Sequence, residues 1–443
     1  MTQPIPPDDE APLSDDDAPD APPPGAPLRV VTDDEAPDPD WSRALARTDK
    51  GITKDPGNAA LILSHSSAWD GVLEHDVFAD RITVGTCPPL PKLPAGWASL
   101  APPRPGEITA EHVTFAGLWI RRQWSQSFGP EAIHAGLVYA AKLRPVHPLR
   151  DYLDRCAVGW DGTARVEAWL STYLGGASTD AAGAVYLANV GRWWMVSAIA
   201  RAFDPGCKVD HVLVLEGDQG ARKNQALEVL FSPWYLPELP DLRDKDSMHC
   251  LSGVWCALND ELGATRRGDV ERAKSFFSRR EDVYRPPYER HTVRRPRSCI
   301  FAATTNEAEY LLDVTGNRRW WPVRVRSVAV DDLRRDRDQL WGEAVHLYRD
   351  GAQWWPDASL TSAVSAEQDR RVQTDEWEAR IARLVHGLER VTVGECLTDL
   401  GIEPGKWTQG DQMRVGRCLR RLEWRVTWEG ARADRRRVWL PPG

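Results

Sequence analysis

A short stretch near the middle of the chain, HVLVLEGDQGARKNQAL at 211–227, constrains the fold more than any other. An apolar run rich in strand-forming residues ends in a glycine-bearing turn, and a stretch able to form a helix follows. Backbone N–H groups in such a turn bind phosphate well, because the dipole of the helix N-terminus adds to them. The stretch therefore predicts a strand, an anion-binding loop and a helix, in that order.

The loop departs from the phosphate-binding pattern G-x-x-x-x-G-K-[ST] at two positions. Arg222 stands where the second glycine belongs, and Asn224 stands where the hydroxyl residue belongs. If the backbone at Arg222 needs a positive φ, a non-glycine residue there costs on the order of 1–2 kcal/mol. A chance glycine turn is the alternative to a working loop. We predict that eight residues bind nucleotide: Gly217, Asp218, Gln219, Gly220, Ala221, Arg222, Lys223 and Asn224.

Two further apolar runs also end in polar residues. GVWCALNDEL ends in Asp260 and Glu261, and SCIFAATTN ends in Asn306. An acidic pair at the end of a strand can bind Mg²⁺ and orient a water molecule, and an asparagine there can contact a γ-phosphate. The simpler interpretation is a pair of solvated acids.

The residues around these strand ends complete the predicted site. The predicted Mg²⁺ ligands are Asn224 and Asp260. Asn224 offers an amide oxygen, which can bind Mg²⁺ but is a poorer ligand than a hydroxyl in this geometry. TGNRRWWPV then brings Arg318 and Arg319, either of which can reach the nucleotide of a neighbouring subunit. The predicted catalytic residues are Asp260, Glu261, Asn306, Arg318 and Arg319.

Strands that alternate with helical stretches predict an α/β fold. We expect a mostly helical N-terminal region before the sheet, and the order helix, helix, hairpin at the end favours a C-terminal winged helix-turn-helix. The predicted segments are a disordered acidic Pro-rich tail at 1–54, a mixed α/β region at 55–145, a helical lead-in at 146–208, a P-loop domain at 209–355, a helical connector at 356–390 and the winged helix-turn-helix at 391–443.

Charge and cysteine usage narrow the class of protein. Residues 1–40 contain 12 acidic residues against the single base Arg29, which more than accounts for the net charge of −9. This tail is expected to be a solvating segment, or else a strip that competes with nucleic acid for a basic groove. The absence of a long apolar run, of a signal peptide and of paired cysteines predicts a cytoplasmic protein with no membrane partner, zinc site or disulfide framework.

These strings together resemble the virulence-associated protein E family, whose ATPase domain is similar to superfamily 3 helicases of the AAA+ class. The resemblance covers roughly residues 55–440. It is carried by PGCKVDHVLVLEGDQGARKNQAL, LSGVWCALNDEL, EDVYRPPYERHTVRRPRSCIFAATTN and YLLDVTGNRRWWPV, with HPLRDYLDRCAVGWDGTARVEAWLSTYLG upstream and WTQGDQMRVGRCLRRLEW downstream. Arg222, Asn224, Leu258 and Glu289 depart from the family pattern, near the catalytic and DNA-facing parts.

The resemblance implies a DNA-dependent, helicase-like ATPase that serves replication of a phage, prophage or satellite element. ATP and Mg²⁺ would be its cofactors, and identical subunits would form a ring. It also implies that the segment DVYRPPYERHTVRRPRS forms a hairpin that holds single-stranded DNA. The predicted contacts are Arg285, Arg290, His291, Arg294 and Arg295. A solvated basic strand pair is the alternative.

The last helix, GDQMRVGRCLRRL, carries arginines at three- and four-residue spacings. Arg414, Arg417 and Arg421 are predicted to contact duplex DNA, although winged helices also serve as protein contacts. Two other functions stay open. One is a non-catalytic DNA-binding scaffold that retains the ATPase fold. The other is a primase, for which residues 57–145 offer no acidic triad at a convincing spacing.

Overall fold

The computed structural model describes residues 41–89, 103–176, 180–240, 245–260, 275–285, 291–311, 317–371, 375–429 and 436–442. The chain divides into two compact units, residues 1–147 and 148–443. Residues 1–40 of the predicted tail lie outside the described residues. The predicted end of that tail at residue 54 is wrong, because Leu45 and Ile52 are buried in the core of the first unit.

The first unit is mixed α/β rather than mostly helical. Its elements are β1 (Arg47–Thr48), β2 (Gly51–Ile52), α1 (Pro56–His65), β3 (Leu73–Asp76), β4 (Arg81–Val84), β5 (Gly106–Glu107), α2 (Ala110–Trp124), α3 (Pro130–Lys142) and β6 (Pro145–Val146). Four strands form a sheet in the order β5–β4–β3–β6. Helices α1 and α3 cross closely, since a Cβ on Gly136 would lie 2.8 Å from the backbone of Ala59.

The second unit begins with helices and continues into a sheet. The helices are α4 (Pro148–Val158), α5 (Trp169–Leu174) and α6 (Ala181–Phe203). The elements that follow are β7 (Val212–Glu216), α7 (Lys223–Phe231), β8 (Tyr235–Leu236), β9 (Cys256–Asn259), β10 (Glu281–Tyr284), β11 (Val293–Pro296), β12 (Ile300–Thr305), β13 (Trp320–Arg324) and α8 (Val330–Arg349).

Five of these strands form one all-parallel sheet in the order β13–β7–β12–β9–β8. Every residue of β7 and β12 is buried, which explains their continuous apolar runs, since both faces of the sheet are covered. Helix α6 covers one face, where the indole N–H of Trp194 donates to the carbonyl of Phe301 at 3.3 Å. The predicted α/β class is confirmed, and the structure adds that the central sheet is parallel.

The chain ends in a smaller helical group with its own core. Its elements are α9 (Thr361–Asp369), α10 (Glu378–Val385), α11 (Val393–Asp399), α12 (Gln409–Arg421), β14 (Arg425–Glu429) and β15 (Arg436–Leu440). Ile381 of α10 shares a buried cluster with Val415 and Leu419 of α12 and with Trp439 of β15. The predicted boundary at residue 391 is therefore too late, because α10 belongs to this group. No helix within the described ranges is long and apolar enough to cross a membrane.

Candidate functional site

The polar residues that follow β7, β9 and β12 meet at one edge of the parallel sheet. Thr305 of β12 pairs with Glu216 of β7, and Ala303 of β12 pairs with Asn259 of β9. Since the strands are parallel, their carboxyl ends lie side by side, where α/β sheets bind ligands. The loop after β7 therefore lies beside Asp260 and Asn306, as the sequence pattern predicts.

The loop between β7 and α7 is a tight turn. A Cβ on Gly217 would lie 2.5 Å from the carbonyl oxygen of Val325, so only glycine fits at this position. Arg222, directly before α7, has φ 58° and ψ 30°, in the left-handed region. The backbone at Arg222 thus has the positive φ considered in the sequence analysis, and a non-glycine residue in this conformation costs on the order of 1–2 kcal/mol. The arginine side chain is exposed.

Lys223 lies inside this turn and is only 7% exposed. Its ammonium group donates to the carbonyl of Gly217, to the carbonyl of Asp218 at 3.1 Å and to Oδ1 of Asn306 at 2.8 Å. Burial lowers the pKa of Lys223, while the charges of Asp218 and Asp260 act in the opposite direction. The loop lysine and the asparagine after β12 are thus in direct contact.

Asp260 is held by its neighbours at the end of β9. The hydroxyl of Thr304 donates to its Oδ1, and Nδ2 of Asn224 donates to its Oδ2 at 3.1 Å. Asn224 thus presents its amide nitrogen, not its oxygen, to the carboxylate. Thr304 was not predicted from the sequence; its only signal there is a hydroxyl in the run ATTN that ends an apolar strand. Glu261 lies outside the described residues.

The two arginines before β13 have different environments. Arg319 donates from Nε to the hydroxyl of Ser278 at 2.8 Å and is half-buried. Arg318 is exposed. Of the two predicted candidates, Arg318 is the one whose side chain is open to solvent and to another molecule.

A buried ion pair behind the loop was missed by the sequence reasoning. Glu216, the last residue of β7, is 7% exposed and accepts from Nε of Arg371 at 2.8 Å. The hydroxyl of Tyr310 donates to the same carboxylate, also at 2.8 Å. Burial acts to lower the pKa of Arg371, but Glu216 and Glu367 reverse this and raise it. The only signal in the sequence is an acid at the end of an otherwise apolar strand.

A cavity of about 350 Å³ opens beside the loop. Asp218 and Asn306 line it, and both also accept hydrogen bonds from Lys223, so the cavity and the loop are continuous. Tyr186 of α6 and Arg324 of β13 form other parts of its wall, and Arg371 contributes a buried charge. Its lining is mixed, with charged groups of both signs beside aromatic and aliphatic carbon.

Strands β10 and β11 form the predicted antiparallel hairpin. At its base Arg297 is buried and donates from Nε to Asp282 at 3.0 Å. Of the predicted contacts, Arg285, His291 and Arg294 are exposed, and Arg294 lies 3.8 Å from Glu281. Arg295 is half-buried, donates to Ser252 at 3.4 Å and has a pKa lowered by burial. Arg290 lies outside the described residues.

The arginines of α12 are divided between contacts within the chain and the surface. Arg414 forms an ion pair with Asp375 at 2.8 Å and lies over the ring of Trp377 at 3.9 Å. Arg421 lies 3.2 Å from Glu378. Arg417 is half-buried. Arg414 and Arg421, both predicted to contact DNA, are therefore engaged with α10 and the segment before it.

The donor set at the strand ends fits a magnesium nucleotide. Within the ranges that the structure describes, no cluster of three or more His, Cys, Asp or Glu side chains offers a complete metal site. Mg²⁺ in nucleotide sites takes only one or two protein carboxylates, because phosphates and water supply the other ligands. Asp260 meets this requirement, and Lys223 and the amides before α7 are suited to the phosphates.

A model of the virulence-associated protein E-like domain matches residues 153–373. The chain belongs to the virulence-associated protein E family. The match spans α6, the parallel sheet, the loop, the hairpin and Arg371, so all the strand-end residues described above lie within the family domain. No curated protein matches the chain.

Two solved structures of the NrS-1 C-terminal region are similar to this family member. Its apo structure is 10% identical, with 88% of this chain and 100% of that chain covered, at a TM-score of 0.43. The A form apo structure is 11% identical, with 62% of this chain and 74% of that chain covered, at a TM-score of 0.36.

Proposed function

We propose that this protein is a P-loop ATPase of the AAA+ type, similar to superfamily 3 helicases, that acts on DNA during replication of a phage, prophage or satellite element. One observation carries the proposal. Lys223 lies within a turn at the N-terminus of α7 and is 2.8 Å from Asn306, while Asp260 lies at the next strand end. A lysine, an acid and a polar sensor at adjacent ends of parallel strands are the parts that phosphoryl transfer requires.

The loop residues would bind the phosphates. The amides of Asp218 to Asn224 and the dipole of α7 attract negative charge, and the ammonium of Lys223 neutralises it. Lys223 now donates to two loop carbonyls and to Asn306, so phosphate binding exchanges these hydrogen bonds for stronger ones to an anion. Asn306 is then free to contact the γ-phosphate.

Asp260 would hold Mg²⁺, with Thr304 fixing the orientation of the carboxylate. Mg²⁺ supplies Lewis acidity that stabilises charge on the phosphoryl oxygens. Asn224 must turn its amide to offer the oxygen, since its nitrogen now faces Asp260. This rotation is the structural reason to expect slower turnover than in a protein with a serine or threonine at this position.

The adjoining cavity of about 350 Å³ would take the nucleoside. Its wall includes the ring of Tyr186 and the hydrogen-bonding groups of Arg324 and Arg371. A mostly concave site with a few polar groups is typical for a small ligand. The cavity adjoins Asp218 and Asn306, the hydrogen-bond partners of Lys223, so the loop would hold the phosphates of a nucleotide whose nucleoside binds here.

DNA binding would involve two parts of the chain. The exposed Arg285, His291 and Arg294 of the β10–β11 hairpin would contact the backbone of a single strand. The C-terminal group, with helices α10 to α12 followed by a hairpin, has the element order of a winged helix. In a ring of identical subunits, the exposed Arg318 would approach the nucleotide of the next subunit.

Nucleotide titration tests the proposal. Binding of a fluorescent ATP analogue with Mg²⁺ is measured for the wild type, for Lys223→Ala and for the control Lys142→Ala, an exposed lysine of α3. We expect saturable binding that Lys223→Ala reduces strongly and Lys142→Ala leaves unchanged. Equal binding by all three proteins, or none by the wild type, would refute the nucleotide site.

A non-catalytic scaffold remains the second candidate, and a specific observation favours it. The amide nitrogen of Asn224, turned towards Asp260, leaves the loop short of a standard magnesium site. A scaffold would bind DNA, and nucleotide at most, without turnover. Hydrolysis above the Lys223→Ala background rules it out.

A further inference from the structure

Helix α12 has one buried face and one face open to solvent. Val415, Cys418 and Leu419 are buried against α10, α11 and β15. The opposite face carries residues at spacings of three and four, which places them in one stripe along the helix. The stripe, which we call the reading face, consists of Gln409, Met413, Arg417 and Arg420.

The reading face is distinct from the arginines that the sequence pattern favours. Arg414 and Arg421 form ion pairs with Asp375 and Glu378, so their side chains are held against the segment at 375–378. Gln409, Met413 and Arg420 are exposed instead, and Met413 has 59% of its surface in contact with solvent. These three side chains are therefore open to another molecule.

Arginines lie near the reading face, beside one exposed acid, Glu423. Arg420 at the end of α12 and Arg437 of β15 each lie 5.8 Å from the ring centre of Trp439, so the helix end and the hairpin meet there. Arg425 of β14 is also exposed. Asp411, the only acid in α12, forms a capping box with Thr408 at the start of the helix. The exposed stripe itself carries no acid, so its field attracts a polyanion.

We infer that the reading face enters the major groove of duplex DNA and recognises a base sequence. A major groove about 12 Å wide accepts an α-helix, and arginine, glutamine and apolar groups are the side chains that distinguish its bases. Arg420 would donate to guanine, Gln409 would pair with adenine, and Met413 would contact a thymine methyl group. Arg425 and Arg437 would contact the flanking phosphates, which position a protein without specifying sequence.

This inference rests on the proposal that the chain acts on DNA, but it assigns a different substrate from the hairpin: an intact duplex of defined sequence. The combination of residues favours a nucleic acid over a protein. The stripe carries Arg417 and Arg420 and no acid, and arginines clustered on one helix face are typical of a surface that binds nucleic acid.

The test selects duplexes from a random library with the full-length protein in the absence of nucleotide, and measures affinities by fluorescence anisotropy. We expect an enriched sequence. Arg420→Ala should weaken binding to it on the order of tenfold to a hundredfold, while binding to an unrelated duplex changes little. Met413→Ala should lower the preference for a thymine at one position. Arg437→Ala should weaken binding to the selected duplex and to the unrelated duplex by the same factor.

Arg334→Ala is the matched control, because Arg334 is an exposed arginine of α8, outside the C-terminal group. Selection without an enriched sequence would overturn the inference. Wild-type affinity in both Arg420→Ala and Met413→Ala would also overturn it. A dimer that depends on Met413 would assign the reading face to a protein contact instead. Because nucleotide is absent, the outcome does not depend on whether the protein hydrolyses ATP.

Discussion

The guanidinium of Arg371 lies 2.8 Å from the carboxylate of Glu216, the last residue of β7 before the loop that leads into α7. The two residues are 155 positions apart in the sequence. The backbone carbonyl of Arg371 also accepts from the amides of Tyr310 and Leu311, at 3.1 and 3.0 Å. The pair therefore joins the start of the loop to the segment after β12 and to the end of α9.

Breaking this pair should destabilise the protein. We predict that Arg371→Gln lowers the free energy of unfolding by about 3–5 kcal/mol, because it leaves the charge of Glu216 buried without its partner. Urea denaturation followed by tryptophan fluorescence measures the loss. The neighbouring Arg370→Gln is the control, since Arg370 is 57% exposed and its ion pair with Glu367 should contribute less than about 1 kcal/mol. Equal losses in the two variants would contradict the account.

His211 should make the stability depend on pH. It stacks on Trp321 with 3.7 Å between ring centres, and burial, reinforced by the charge of Arg201, lowers its pKa to about 3. In the unfolded chain a histidine titrates near 6.5. Below that pH the unfolded state binds a proton at His211 that the folded state does not bind. The contribution of His211 to the free energy of unfolding is therefore complete above pH ~6.5 and is lost as the pH falls towards ~3.

At pH 5 the loss amounts to about 2 kcal/mol, from about 1.4 kcal/mol per pH unit below the unfolded pKa. We predict that His211→Phe reduces the drop in urea midpoint between pH 7.5 and pH 5. His386→Phe, a change at an exposed histidine, should keep the wild-type drop. If His211→Phe is as sensitive to pH as the wild type, His211 is not buried in its neutral form.

Asn224→Ser should raise magnesium-dependent ATP turnover. The serine hydroxyl offers a metal ligand without the amide rotation that Asn224 requires next to Asp260. We expect a several-fold higher turnover number in steady-state assays with Mg²⁺, and a smaller change for Gln225→Ser, which alters the exposed neighbour. Slower turnover in Asn224→Ser would show that the asparagine has become part of the working site.

Arg294→Gln should weaken binding of single-stranded DNA without altering sequence preference. Arg294 is exposed on β11, with Glu281 3.8 Å away among the described residues, so its guanidinium is open to a phosphate. Loss of one phosphate contact lowers the slope of log affinity against log salt by about 0.7. Anisotropy titrations at several salt concentrations measure this slope. An unchanged slope, equal to that of Arg334→Gln, would remove the hairpin from the DNA contact.

The strands and the site residues after them were predictable from the sequence for a simple reason. Each central strand is buried on both faces, so it appears as an apolar run, and the polar residue that ends it marks the ligand edge. Asn306 was identified in this way and Lys223 from the glycine-bearing loop after β7, and the two lie 2.8 Å apart.

The rest depends on contacts that no local pattern encodes. Arg414 and Arg421 have the spacing of a DNA-binding helix, but acids 39 and 43 positions earlier in the chain pair with them, which directs them away from the open face. Likewise, neither the sequence around Glu216 nor the sequence around Arg371 indicates that these two residues form an ion pair. Leu45 and Ile52 were assigned to the tail because two apolar residues do not alter the local composition. Both are buried in the core of the N-terminal unit.

ATP hydrolysis by the purified protein, with and without single-stranded DNA, tests the central claim most directly. Lys223→Ala and the control Lys142→Ala are measured beside the wild type. We predict turnover that DNA stimulates, that Lys223→Ala abolishes and that Lys142→Ala retains. Turnover by the wild type no higher than that of Lys223→Ala, with or without DNA, would contradict the assignment of this protein as an ATPase.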